Sequence, residues 1–398
     1  MPRAPDAIVV GGGLIGCLAA RALADDGRRV TLYERGAELG RKASTAAAGM
    51  LSPQMEWAED MLVEGALDAA RRTDAMLDLG IAARERWPAF AAALEAETGH
   101  RLHYRDEGTL VVALTDEEAA ELETRAEAQR RRGLRAEWLE PGRVWELEPG
   151  IAGNARGALH IPDDRQVDPL PLMAATARAL AGRPGVRIET GTAVRAVRSE
   201  AGKVTGVAIE GGAGVEGRAV DAPLVVLAAG AWSAGIAGLP RPLAVHPVKG
   251  QMAALRPATM PIRHVVGGRG AYCVPRDDGR IVVGATVEDA GFDERVDPAA
   301  VDALIAAAAS AVPALARAPV TSRWSGLRPG TADDLPVLGE DPDLPGLLYA
   351  TGHYRNGILL APLTADIVAA IARGDDPPVD TIPFSPARAG LEEPAPRR

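Results

Sequence analysis

The 398-residue sequence predicts an α/β protein of two domains, one on a parallel sheet and one, of α+β type, on an antiparallel sheet. Three observations carry this. The first fifty residues read strand, glycine turn, helix and strand, the β-α-β unit of a parallel sheet. Residues 243–296 instead alternate apolar and polar around a turn at Asp277-Asp278-Gly279, the pattern of antiparallel strands. The length suits two domains of ordinary size.

Taken in order, Ala7 to Val10 is a short buried strand, Leu14 to Asp26 a helix with apolar residues at helical spacing, and Arg28 to Glu34 a second strand. From Leu62 to Glu97 the chain is rich in Ala, Arg and Glu and reads as helix. Leu102 to Leu114 reads as strands about a turn at Asp106-Glu107-Gly108, and Asp116 to Arg132 as a solvated helix of alternating charge. Two β-like runs occupy Val186 to Ile209, a strand spans Ala222 to Ala229 before Gly230, and an alanine-rich helix spans Pro298 to Leu315. Leu347 to Thr351 is the last strand, Gly357 to Arg373 the last helix, and the tail from Ser385, with Pro386, Pro394 and Pro396, reads as flexible.

Composition narrows the function. The net charge of -10 argues against a nucleic-acid or anionic-membrane surface, and an anionic small substrate would need a locally placed arginine. Cys17 and Cys273 are too few for a disulfide framework or a cysteine zinc site, which fits a reducing cytoplasm. The six histidines show no paired ligand spacing, so no metal is expected. The apolar stretch Leu224 to Leu239 is interrupted by three glycines and is too short to span a membrane.

Gly11-Gly12-Gly13-Leu14-Ile15-Gly16 satisfies G-x-G-x-x-G between a strand and a helix, the context that gives this motif its meaning. Gly11 permits the tight turn, Gly13 lets backbone approach a pyrophosphate, and Gly16 lets the helix pack closely. Glu34 lies 18 residues past Gly16, placed to accept from a ribose hydroxyl. The Rossmann-like reading leaves NAD and FAD both open. Residues 41–50, small apart from Arg41, Lys42 and Met50, follow, with Ser44 and Thr45 as donors along an extended cofactor.

Five blocks then resemble the glycine oxidase family (ThiO type) of D-amino-acid oxidase and sarcosine oxidase-like flavoenzymes: residues 9–16, Ser44 to Leu51, Pro247 to Gly250, Gly326 to Thr331, and Gly352 to Pro362. The resemblance runs in order over about residues 7–375. It implies non-covalent FAD and hydride transfer from the Cα of a small amino acid (glycine, sarcosine or a small D-amino acid) to flavin N5. An imine, then 2-oxo acid and ammonia, and H2O2 would follow, with a role in thiamine thiazole biosynthesis. Arg328 resembles the family's carboxylate-binding arginine, a fork that lysine cannot reproduce. Tyr272 resembles its second carboxylate contact, and Arg355 a residue near flavin and substrate. Tyr354, Met50, Met55 and Val287 would line the substrate pocket. Besides the glycine motif and Glu34, the resemblance assigns Arg35, Ala48, Gly49, Met50, Val194, Gly230, Gly352, His353, Arg355, Asn356, Gly357 and Ile358 to the flavin site.

Three positions depart from the family. Gly270 stands for a histidine two positions before the pocket tyrosine, Val287 for a pocket methionine, and Met55 for a small residue at the entrance; they bear on which amine is preferred. The motifs must meet around one cofactor, so we expect interleaved domains: cofactor segments 1–88, 159–238 and 323–384, substrate segments 89–158 and 239–322, and the tail 385–398. A homo-oligomer is expected. Four other readings stay open. These are a flavoprotein dehydrogenase serving a carrier other than O2, an NAD-dependent dehydrogenase, a non-catalytic nucleotide-binding protein, and a hydrolase whose nucleophile elbow would be Ala231-Trp-Ser233-Ala-Gly235.

Overall fold

The structure, a computed structural model, describes residues 4–57, 67–211, 217–388 and 391. Ala7–Val10 is the centre of a six-stranded sheet. It pairs in parallel with Val30–Tyr33 on one side and Val225–Leu227 on the other; Val186–Glu189 and Leu347–Thr351 extend the parallel run outward. Val337–Glu340 closes one edge in the antiparallel sense.

These strands are continuous apolar runs because both faces are covered. Val9, Val226 and Leu348 pack with the helices Leu14–Asp25, Pro169–Ala181 and Gly357–Arg373. Ile8, Val225 and Leu347 point the other way, onto the antiparallel meander of Val194–Glu200, Lys203–Ile209 and Arg218–Asp221. The segment Tyr354–Arg373 has the length and hydropathy, 1.3 over its most apolar window, to cross a membrane. Its position explains the composition: 67% of that window is buried inside the protein, between neighbouring helices and the sheet.

The second sheet has eight strands, and all but one of its pairs are antiparallel, the exception being Thr109–Ala113 with Val265–Gly268. Its longest pair joins His246–Leu255 to the edge strand Val320–Gly330. One face carries the core under helix Pro298–Ala311; the other, with Met252, Val274 and Tyr272, looks toward the parallel sheet. This is the two-domain α/β architecture with interleaved segments.

Several expectations are corrected. The run Val186–Ile209 forms three strands, because Ala201 and Gly202, at φ +49° and +75°, make a tight hairpin turn. Leu102 to Leu114 holds the strand Thr109–Ala113, preceded by an irregular arm whose Arg105 bridges Gln166. Helix Pro298–Ala311 stops before Pro313, whose ring disfavours helical backbone in the residue before it. The long helical run breaks between Arg84 and Trp87; its part at 62–66 lies outside the described residues. The expected boundaries at 158/159 and 322/323 fall inside strands Gly157–Ile161 and Val320–Gly330.

The tail is not free where it is described. Phe384 and Leu391 are buried, Leu391 O accepts from Ala244 N, and Arg388 is forked onto Asp333 at 2.7 and 2.9 Å while donating to Leu335 O and Pro336 O. Apolar anchors and a guanidinium with five hydrogen bonds, the fifth to Ser385 O within the tail, outweigh the proline content that suggested flexibility. Residues 389–390 and 392–398 lie outside the described set.

Burial pushes the Asp333 carboxyl up, but Arg388 outweighs it and holds the group below its ordinary value. A depressed carboxylate stabilises the fold above its unfolded pKa, and the contribution is lost as pH falls through the folded value. Arg388→Ala should therefore lower stability at pH 7 by about 2 kcal/mol or more. Thermal melts from pH 7 down to pH 3 should show the gap between wild type and variant closing on the acid side; a constant gap would contradict this account.

Candidate active site

The two sheets enclose a cleft at the carboxyl ends of the parallel strands, where open α/β sheets bind ligands. Its volume of about 360 Å³ is that of a small-molecule site. Gly11 builds its first wall. At φ +110° it turns the chain out of strand Ala7–Val10, and a Cβ there would overlap Ala228 O. A Cβ on Gly16 would overlap Gly11 O, so only glycine lets helix Leu14–Asp25 start so close to the strand.

That helix presents its N-terminus to the cleft through Gly13, Leu14 and Ile15, with no cap from the Gly13 position. Leu14 N–H donates to Ser44 Oγ at 2.9 Å, which leaves the serine proton to donate onward. Glu34 ends strand Val30–Tyr33 with its carboxylate fixed by Gly12 N–H at 2.8 Å and Gly36 N–H at 2.7 Å. A rigid carboxylate beside a helix N-terminus and a serine hydroxyl is the donor and acceptor set that a ribose and pyrophosphate require. Arg35 lies 3.7 Å above the Trp232 ring, which stacks on Phe292. Val194 and Gly230 complete this end.

The middle of the cleft is the segment Ala48–Gly49–Met50. Gly49, at φ +73°, sits so close to Val167 that a Cβ would overlap its carbonyl. Buried Arg276 pins the segment by donating to Ala48 O, and to Val167 O at 3.1 Å. From the far side come His353, Tyr354, Arg355 and Asn356, then Gly357 and Ile358 at the start of the long helix, a second N-terminus without a side-chain cap. Burial pushes the His353 imidazole down to about 3, and its Nε2 lies 3.0 Å from Thr364 Oγ1; it is a neutral structural group. Tyr354 holds φ +45°, rare for a non-glycine and common at functional sites.

At the substrate end, Arg328 and Tyr272 meet on the cleft face of the antiparallel sheet. Arg328 donates to Thr286 O at 3.1 Å and Lys249 O at 3.5 Å, and it lies over Gly250, where any side chain would collide with the guanidinium. Among the described residues no carboxylate forms an ion pair with Arg328. Burial pushes the Tyr272 hydroxyl above its ordinary value, with Arg328 and Arg355 opposing and Glu56 assisting, so the phenol remains a proton donor at neutral pH.

Five assigned residues do not line the cleft. Gly16 and Gly352 act through backbone, the latter at φ +72° beside Thr331. Thr45 donates to Gly40 O at 2.8 Å and closes its own loop. Met55 is turned toward Val111 and Gly267 by the helical turn Pro53–Glu56, so it does not form the pocket wall expected of it. Val287 lies beyond the strand end at Gly284 and is 46% exposed, because Glu288 pairs back to Lys249; it too is corrected. The same turn carries Glu56 into the cleft, 2.9 Å from Arg355 Nε. The sequence reading missed it; its signal was an acidic residue at the end of a Pro-initiated turn just past the small-residue loop. Ser233 bonds Thr351 Oγ1 at 2.8 Å and is fully buried, which removes the hydrolase reading.

Known proteins resemble this chain over nearly all of its length. Glycine oxidase of Geobacillus kaustophilus is 37% identical over 387 residues, 96% of this chain and 97% of that protein. The crystal structure of a glycine oxidase from the same organism superimposes with a TM-score of 0.85 at 35% identity, covering 96% and 98% of the two chains. The bifunctional protein ThiO/ThiG of Synechocystis is 34% identical over 93% of this chain and 52% of its own length. The FAD dependent oxidoreductase (DAO) family model matches residues 6–371, a span that takes in the glycine turn, the arginine strand and the cleft helix, and the chain belongs to that family.

Proposed function

We propose that the protein oxidatively deaminates a small amino acid: glycine, sarcosine or a small D-amino acid. The observation that carries this is Arg328, a half-buried guanidinium with no carboxylate partner among the described residues, set beside the Tyr272 hydroxyl in the cleft of the glycine turn. A substrate carboxylate would complete Arg328 as a charge-assisted fork, with Tyr272 donating a further hydrogen bond. Two fixed donors orient the Cα–H bond, and positioning of this kind is the protein's principal contribution to rate.

FAD fits the donor set without a covalent link. Gly11, Gly13, the amide of Ile15 and Ser44, whose hydroxyl oxygen already accepts from the Leu14 amide, would take the pyrophosphate, Glu34 the ribose, and Val194, Arg35 and Gly230 the adenosine end. Ala48, Gly49, Met50 and the turn His353–Ile358 would take the ring system, with the second helix N-terminus stabilising negative charge on it. When bound, FAD would supply the two-electron acceptor that takes the amine to the imine, which water converts to 2-oxo acid and ammonia (methylamine from sarcosine), and would pass the electrons to O2 as H2O2. His353, locked neutral, supplies no base, and the reaction as proposed needs none.

The ThiO/ThiG relative extends the proposal to the supply of a glycine-derived imine for the thiazole of thiamine. Two buried, unpaired thiols, Cys17 and Cys273, support a reducing cytoplasm as the compartment.

Purified protein should be yellow and bleach on anaerobic addition of glycine or sarcosine, then release peroxide in air. Bleaching without peroxide would favour a dehydrogenase that serves another carrier. Arg328→Ala should raise KM for the amino acid about hundredfold, the worth of roughly 3 kcal/mol for a charged pair, while the flavin spectrum persists. An unchanged KM would remove Arg328 from the substrate site.

A further inference from the structure

We propose that Glu288, which lies behind the cleft wall, is a positioning residue for the substrate seat: its carboxylate closes a hydrogen-bonded ring that fixes the two carbonyls holding Arg328, and so sets the affinity for a carboxylate. The proposal rests on the amine-oxidation reading and deepens it by naming what orients Arg328.

The ring sits where two strands fall out of step. His246–Leu255 and the strand Ile281–Gly284 pair Ala253 with Val283, yet further along Lys249 meets Glu288, one residue later than that register gives. The slip is a bulge, a device by which sheets re-aim groups beside a site. Beyond it Lys249 N–H donates to Glu288 O at 3.0 Å and Glu288 N–H to Lys249 O at 2.9 Å, while Thr286 N–H donates to Gln251 O at 3.3 Å. Gln251 N–H in turn donates to the Thr286 hydroxyl at 2.8 Å. The bulge leaves Thr286 O and Lys249 O as the acceptors of Arg328.

One carboxylate ties these residues together. Glu288 Oε1 accepts from Gln251 Nε2 at 2.7 Å and from the Thr286 hydroxyl, and Oε2 lies 3.6 Å from the ammonium of buried Lys249. Gln251 Oε1 accepts from Asp297 N–H at 2.6 Å, which anchors the ring to the start of helix Pro298–Ala311. Burial pushes the Glu288 carboxyl up, but Thr286, Gln251 and Lys249 outweigh it and hold the group below its ordinary value, so it is charged at neutral pH. The two carbonyls under Arg328 thus belong to the two residues, Thr286 and Lys249, whose side chains Glu288 engages. The cleft wall at this point is Gly250, Tyr272 and Arg328, with Glu288 out of reach of a substrate. A guanidinium forks onto a carboxylate only when both of its N–H bonds are aimed, and a displacement of about 1 Å is costly.

The test titrates holoprotein with acetate, a carboxylate that cannot be oxidised, through the flavin spectrum, and measures KM and kcat for glycine in parallel. Glu288→Ala should weaken acetate binding and raise KM about tenfold, with the flavin retained and kcat changed less than about threefold. Glu288→Gln keeps an acceptor for Thr286 and Gln251 but strips Lys249 of its counter-charge; it should melt at a lower temperature yet bind acetate within about twofold of wild type. In an Arg328→Ala background, Glu288→Ala should shift acetate affinity and KM by no more than about twofold, because it acts through Arg328. Thr286→Val, which removes the hydroxyl and keeps the carbonyl, breaks the ring a second way should Glu288→Ala fail to fold, and should weaken acetate about threefold. Unchanged acetate affinity in Glu288→Ala or Thr286→Val, a Glu288→Gln variant as weak as Glu288→Ala, or a loss undiminished without Arg328 would each overturn the proposal. The acetate arm needs no turnover, so the expected affinities in a protein that oxidises neither glycine nor sarcosine would overturn the amine-oxidation reading and leave the role of Glu288 standing.

Discussion

The close approach of Gly16 to Gly11 is the constraint on which the site depends. Because no Cβ stands between them, helix Leu14–Asp25 begins directly above the end of strand Ala7–Val10, and its first amides open onto the cleft. The same absence at Gly11 lets the turn lie against Ala228 and Ala229, so the neighbouring parallel strand delivers Gly230 to the same place. Moving that helix outward would shift a positive dipole end, the anchor of Ser44 and the wall facing Glu34 together. Glycine here is a packing requirement before it is a binding motif.

Opposite that wall, the antiparallel sheet contributes charge in a controlled form. Its arginines are handled in different ways: Arg276 is buried and spends its donors on Ala48 O and Val167 O, while Arg328 stays half-buried on carbonyls alone. Burial pushes Arg276 down to about 10, still charged at neutral pH, and its role is to hold the middle of the cleft in shape. Arg328 keeps donors in reserve for an anion. The two residue types look alike in the chain, and only their neighbours separate them.

That difference marks how far the sequence could be read. The parallel strands, the helices that cover them and the glycine turn were legible, because continuous apolar runs and helical periodicity are local signals. Arg328 and Tyr272 stood out through the motifs flanking them. Local signals failed where the outcome depended on a distant partner. The proline-bearing tail docks because Asp333, far away in the chain, receives Arg388. Val287 faces solvent because Glu288 bridges to Lys249. The direction of the Pro53–Glu56 turn, which exchanges Met55 for Glu56 in the cleft, is set by packing on Val111 and Gly267 that no spacing rule encodes.

The docked tail has a further consequence. Val337–Glu340 is the outer strand of the six-stranded sheet, and an outer strand offers unpaired backbone groups to any other chain. Pro386 lies near Gly339, and Arg388 occupies the carbonyls of Leu335 and Pro336 just before that strand. The tail thus shields one end of the sheet from aggregation by edge pairing, with Pro386, which cannot itself extend the ladder. A segment that composition marks as dispensable is the guard on the margin of the flavin-binding sheet.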